Sequence, residues 1–209
     1  MRYVLLVRFP AHARLYAILD TGYLEPAQFL DTARALVEGG AGLIQVRAKD
    51  EPPEFIASLA AGVHAITRPA GVPLLINDHP EVAYHIQCEG AHVGQDDLSV
   101  AEARALLGSK KRLVGKSTHS LQQAVVAAAE TPDYLGFGPI FATPTKPEYP
   151  AIGLSDIRAV HAAVSLPIFC IGGVNLDTAR AVLDAGALRI VVVSALLRAA
   201  DPARYCRQL

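Results

Sequence analysis

At 209 residues, 52% of them hydrophobic, the chain can bury one full core, and a single domain is the simplest expectation. Nineteen Lys and Arg against twenty Asp and Glu leave no global electrostatic reason to expect nucleic acid or an anionic membrane as partner, so any basic site must be local. Cys88, Cys170 and Cys206 lie far apart, make neither a disulfide framework nor a CxxC metal site, and fit a reducing compartment.

The opening "MRYVLLVRFP" is too short in apolar residues to span a bilayer and lacks a convincing cleavage site. We read residues 1–14 as an N-terminal extension or a cover for one end of the core, residues 15–209 as the folded unit, and the protein as soluble and cytoplasmic. Strand-like runs follow in order: "LYAILD" (15–20), "GLIQVR" (42–47), "VPLLIN" (72–77), "GAHVG" (90–94), "RLVGKS" (112–117), "DYLGFG" (133–138), "LPIFCIGG" (166–173) and "LRIVVVS" (188–194). Helical spacing falls between several of them, in "PAQFLDTARALVEGG", "SVAEARALLG", "SLQQAVVAAAE" and "NLDTARAVLDAG". Ser99 with Glu102, and Ser120 with Gln123, have capping-box spacing; Pro26 suits a first turn, and Gly39 and Gly186 suit helix ends.

Strand alternating with helix implies a parallel sheet covered by helices, either a closed barrel or an open doubly wound sheet. The nearest approach to a dinucleotide-binding turn, "GFGPIF" (136–141), puts proline where helix-starting chemistry belongs. The count of units favours the barrel: single-domain α/β, a (β/α)8 TIM barrel, with its site at the carboxyl ends of the strands.

Gln45, Arg47 and Lys49 share one face of the second strand by period two, with Ile44 and Val46 on the other. An amide, a guanidinium and an ammonium at a strand end suit a phosphorylated ligand; the alternative is that Arg47 and Lys49 have already left the strand for solvent. "INDHP" and "HVGQDD" end the next two strands, and Asp78 and Asp97 could share a hard cation such as Mg²⁺. Taken alone, each aspartate reads as a turn or cap before it reads as a ligand. Ser117 is the inward residue of "GKSTH", with His119 following. The proline-pinned loop "GPIFATPTKPEYP" (138–150) presents Thr143, Thr145 and Lys146 as donors, or is a solvated turn. Gly172 and Gly173 after the seventh strand, with Val193 and Ser194 after the eighth, stand where barrels commonly hold a phosphate.

Taken together, "QVRAK", "ND", "HVGQDD", "GKSTH", "GFGPIFATPTK", "IGGVN" and "VVVSA" resemble, in order over residues 15–195, the thiamine phosphate synthase family. The resemblance implies a (β/α)8 barrel that joins hydroxymethylpyrimidine diphosphate to hydroxyethylthiazole phosphate, releasing thiamine phosphate and diphosphate. It implies pyrimidine-diphosphate contacts from Gln45, Val46, Arg47, Ala48, Lys49, Asn77, Ser117 and Lys146. Arg47, Lys49, Ser117 and Lys146 would assist the chemistry, and Asp78 and Asp97 would hold Mg²⁺. Thr143, Pro144, Thr145, Gly173, Val193 and Ser194 would hold the thiazole phosphate. Two rivals remain: a thiazole tautomerase of the same family, using a histidine such as His119, and a non-catalytic barrel that binds thiazole phosphate. Retention of Gln45, Arg47, Lys49, Asp78 and Asp97 speaks against both. The expected partners are small-molecule substrates, not nucleic acid or a membrane.

Overall fold

The computed structural model describes residues 9–108, 111–143 and 149–209. Eight parallel strands close into a barrel in sequence order, β1 pairing with both β2 and β8. They are β1 (Leu15–Asp20), β2 (Leu43–Arg47), β3 (Leu74–Asn77), β4 (Gly90–Val93), β5 (Leu113–Thr118), β6 (Tyr134–Phe137), β7 (Ile168–Cys170) and β8 (Ile190–Val192). The helices are α1 (Phe29–Glu38), α2 (Pro53–Thr67), α3 (Pro80–His85), α4 (Val100–Leu107), α5 (Leu121–Ala129), α6 (Ile157–Ala163), α7 (Ala179–Asp184), α8 (Ser194–Leu197) and α9 (Pro202–Gln208).

Parallel strands under a helical layer are buried on both faces, which is why most of them read as largely apolar runs. Alternation divides those runs into two layers. Tyr16, Ile18, Leu43, Leu75, Leu113, Tyr134, Phe169 and Val191 pack inside the barrel. Leu15, Ala17, Leu19, Ile44, Val46, Ile76, Val114 and Leu135 pack outward among the helices. Phe9 lies against Tyr134 and Phe169, with ring centroids 5.9 and 6.1 Å away, so the residues just before β1 cover the amino end of the core.

Side-chain caps start α4, α5 and α9. Ser99 Oγ accepts from the Glu102 amide while Glu102 Oε2 accepts from the Ser99 amide, the expected reciprocal box at the start of α4. Before α5 only half of that pattern forms: Ser120 accepts from the Gln123 amide, but Gln123 reaches past it to the His119 amide. Gly39 ends α1 with right-handed φ, and its successor Gly40, at φ +90°, makes the turn. Gly186 turns at φ +108° after α7, as expected. That helix starts at Ala179 rather than near Asn175, because Asn175 Oδ1 captures the amides of Asp177 and Thr178 in a local turn. Among the described residues no helix is long and apolar enough to cross a membrane.

Candidate active site at the carboxyl end of the barrel

A cavity opens where the strands end. Its lining changes character around the barrel: Asp20, Gln45, Arg47, Asn77, Ser117 and His119 on one side, Gly138, Gly172, Gly173, Val193 and Ser194 on the other, with Thr143 between.

Strand β2 delivers its face as period two requires, Gln45 and Arg47 lining the cavity while Ile44 and Val46 pack outward. Arg47 pairs across the register with Asp20, Nη1 donating to Oδ2 at 2.8 Å. Asp20 is only 1% exposed, and its other oxygen accepts from the Gly22 amide at 2.9 Å. A carboxylate that deep is tolerated because both oxygens are used. It holds the guanidinium in one orientation. Asp20 was not among the expected residues, although an aspartate closing an otherwise apolar strand directly opposite Arg47 was the available signal. Lys49 lies beyond the end of β2, exposed and outside the cavity lining. The side chains of Val46 and Ala48 belong to the outer packing layer.

After β3, Asn77 lines the cavity and donates through Nδ2 to Asp78 Oδ2 at 2.6 Å. Asp78 has left-handed backbone, φ +60°, fixed by its amide donating to the His92 carbonyl at 2.8 Å. Asp97, exposed in the loop after β4, accepts from the Gly94 amide at 2.7 Å, and Asp96 accepts from the Tyr149 hydroxyl at 3.3 Å. Neither caps α4; Ser99 does. Among the described residues no three His, Cys, Asp or Glu side chains form a group that could hold a metal. Asp78 and Asp97 are therefore too few to hold a resident ion alone. Two carboxylates do fit Mg²⁺ when phosphate oxygens and water complete its shell.

Inside the barrel, side chains from five strands meet. Gln45 Nε2 donates to the Tyr16 hydroxyl; the Tyr16 and Tyr134 hydroxyls are 3.0 Å apart. Tyr134 Oη lies 2.8 Å from His92 Nδ1, and His92 Nε2 lies 2.9 Å from Ser117 Oγ. Burial pushes both phenols above their ordinary pKa, so both keep their protons. Gly115 makes the crossing possible: a Cβ there would sit 2.3 Å from the Tyr134 hydroxyl and 2.4 Å from His92 Nδ1. His92 was not among the expected site residues. Its alternation with Ala91 and Val93, both packed outward, was the sign that it points in. Lys116 faces away from Ser117, buried at 4% exposure with Nζ donating to the Leu98 carbonyl at 3.2 Å.

His119 Nδ1 contacts the Gly138 carbonyl, which can only accept, so that nitrogen carries the proton; the ring stacks on Tyr149 at 4.2 Å. On the far side, Gly172 (φ +99°) and Gly173 (φ +65°) have no room for side chains. Cβ atoms would fall 2.4 Å from Pro139 Cβ and 2.6 Å from Phe141 Cβ respectively. Val193 and Ser194 reach the cavity at the start of α8. Of the loop residues expected here, Thr143 lines the cavity, whereas Pro144, Thr145 and Lys146 fall outside the described residues. The cysteines take no part: burial pushes Cys88 and Cys170 up to about 12 and Cys206 up to about 11.

A family model described as thiamine monophosphate synthase matches residues 15–196. A thiamine-phosphate synthase of Chloroflexus aurantiacus is 44% identical over 197 residues, covering 94% of this chain and 90% of that one. One from Thermus thermophilus is 42% identical, with coverage of 94% and 95%. Among solved structures, a thiamine phosphate pyrophosphorylase from Pyrococcus furiosus superposes with a TM-score of 0.85 at 30% identity, covering 94% of this chain and 93% of that one. A 3-hexulose-6-phosphate synthase, at 19% identity and a TM-score of 0.71, shares the barrel fold.

Proposed function

The chain belongs to the thiamine monophosphate synthase family, and from that premise we propose that it is a transferase joining hydroxymethylpyrimidine diphosphate to hydroxyethylthiazole phosphate. The bond from the pyrimidine methylene carbon to the diphosphate oxygen breaks, and the oxygen leaves with the electron pair. The thiazole nitrogen then gives its lone pair to that carbon, yielding thiamine phosphate and diphosphate. The electron-rich aminopyrimidine steadies the carbocation between the two events, so no general base is required.

The division of the lining carries this reading. Arg47, Asn77 and Ser117 supply donors suited to a leaving group that gains charge. We assign Gln45 and Arg47 to the pyrimidine diphosphate, with Lys49 and Lys146 as additional cations on the strength of the family motif. Gly173, Val193, Ser194 and the 143–145 segment are assigned to the thiazole phosphate. Asp78 and Asp97 would hold Mg²⁺ together with diphosphate oxygens, and the ion would supply charge neutralisation to the departing group. Seating both substrates in one cavity contributes proximity.

The test is incubation with both substrates and Mg²⁺, with thiamine phosphate and diphosphate measured as products. Equal amounts of the two are expected. A protein that makes no thiamine phosphate, or that only isomerises a thiazole carboxylate phosphate, overturns the assignment.

A further inference from the structure

We propose that the side chains crossing the barrel form a one-way hydrogen-bond relay, Gln45 to Tyr16 to Tyr134 to His92 to Ser117, which fixes Ser117 as a hydrogen-bond donor toward the diphosphate. The proposal rests on the reading above for what Ser117 faces; the direction of the relay follows from the geometry inside the barrel.

The first step sets the rest. An amide nitrogen can only donate, so the Tyr16 hydroxyl accepts from Gln45 Nε2. Tyr16 has one proton to give, and the Tyr134 oxygen is 3.0 Å away. Tyr134, accepting there, directs its own proton to His92 Nδ1 at 2.8 Å. Neutral imidazole that accepts at Nδ1 carries its proton on Nε2, and Nε2 lies 2.9 Å from Ser117 Oγ. Ser117 Oγ is thereby an acceptor toward His92, and its own proton is not used by the relay. It remains for an anion in the cavity that Ser117 lines. Because Tyr16 and Tyr134 are fully buried in the barrel, water does not compete with the ordering. His92 is thus a positioning residue acting through Ser117.

The first measurement needs no substrate. Two-bond proton–nitrogen NMR correlations of the protein labelled with 15N-histidine, the His92 signals assigned by their loss in His92→Gln, should show the Nε2–H tautomer. Tyr134→Phe, which keeps the ring and removes the donor, should populate the Nδ1–H form. A wild-type His92 protonated on Nδ1 means that the relay runs the other way, and overturns the proposal.

The second measurement is kinetic. His92→Leu should lower kcat by on the order of tenfold, the scale at which a supporting partner is felt, with the thiazole-phosphate KM unchanged. His92→Gln, whose amide N–H can again donate to Ser117, should recover part of that loss. In a Ser117→Ala background, His92→Leu should cost nothing more; losses that multiply would show that His92 does not act through Ser117. If the wild-type chain makes no thiamine phosphate, the assigned function fails while the tautomer measurement still decides the relay.

Discussion

The two halves of the barrel mouth are built from different materials. From β1 to β5 the lining is side chain: a guanidinium, two amides, a hydroxyl and a carboxylate, most with a second side chain behind them. Asp20 stands behind Arg47, Asn77 beside Asp78, and His92 behind Ser117. From β7 onward the lining includes two glycines at left-handed φ that admit no Cβ and bare the backbone, beside Val193 and Ser194. Side chains can meet a charge that grows during a reaction. Backbone amides bared at a glycine turn can hold a phosphate whose charge stays the same. If the first half handles the leaving diphosphate and the second the thiazole phosphate, damage to the first should appear in kcat and damage to the second in KM.

The largest effect should come from removing the cation. Chelation of divalent metal should cut turnover by roughly 10³-fold, the worth of several kcal/mol of charge stabilisation. Asp78→Ala should raise the Mg²⁺ concentration needed for half-maximal activity. Undiminished turnover in chelator-treated buffer would remove Asp78 and Asp97 from the metal assignment.

Arg47 comes next. Arg47→Ala should lower kcat by about 10²-fold, on the scale of losing one electrostatic stabiliser. Asp20→Asn keeps the shape but weakens the pairing at 2.8 Å, so it should lower kcat by about tenfold, through orientation alone. Lys146, outside the described residues, is proposed to act with Arg47, since both are cations suited to a leaving diphosphate. An Arg47→Ala enzyme altered only in its thiazole-phosphate KM would reverse the division between the halves.

Gly173→Ala probes the backbone side. The new methyl would meet Phe141 Cβ at 2.6 Å in a conformation with φ +65°. The turn must therefore shift, at a stability cost of about 1 kcal/mol or more. The expected result is a thiazole-phosphate KM raised roughly tenfold with kcat nearer normal, in steady-state assays varying each substrate in turn. A fall in kcat alone would mean that this turn also serves the bond-breaking step.

Much of this was legible in the sequence, and the reason is physical. Doubly buried strands write themselves as apolar runs, and period two identified the inward residues of β2 before any contact was known. What stayed hidden depended on partners distant in the chain. Tyr16 and Tyr134 look like ordinary core aromatics, and only barrel closure brings hydroxyls 118 positions apart together. Asp20 drew no attention in the sequence because its partner Arg47 lies on the next strand. Lys49 shows the opposite limit: period two extrapolated one residue pair too far, since β2 ends at Arg47. Asp97 invited a capping explanation that Ser99 had already satisfied.

The smallest effect expected belongs to His119, which lines the first half and contacts Gly138 of the second. Its Nδ1 proton is directed at the Gly138 carbonyl, and its ring stacks on Tyr149 at 4.2 Å. Nothing in the proposed reaction takes a proton from either substrate, so this imidazole has no acid–base task. Its expected contribution is mechanical, exerted through Gly138 on the chain that runs on to Thr143. His119→Ala should therefore raise the thiazole-phosphate KM only a few-fold, the scale of a lost positioning contact, and leave kcat within about twofold of normal. His119→Asn, whose amide N–H can reach the Gly138 carbonyl, should restore part of the KM. A kcat lowered a hundredfold by His119→Ala, and not recovered by His119→Asn, would place a proton transfer at this histidine and require a different mechanism.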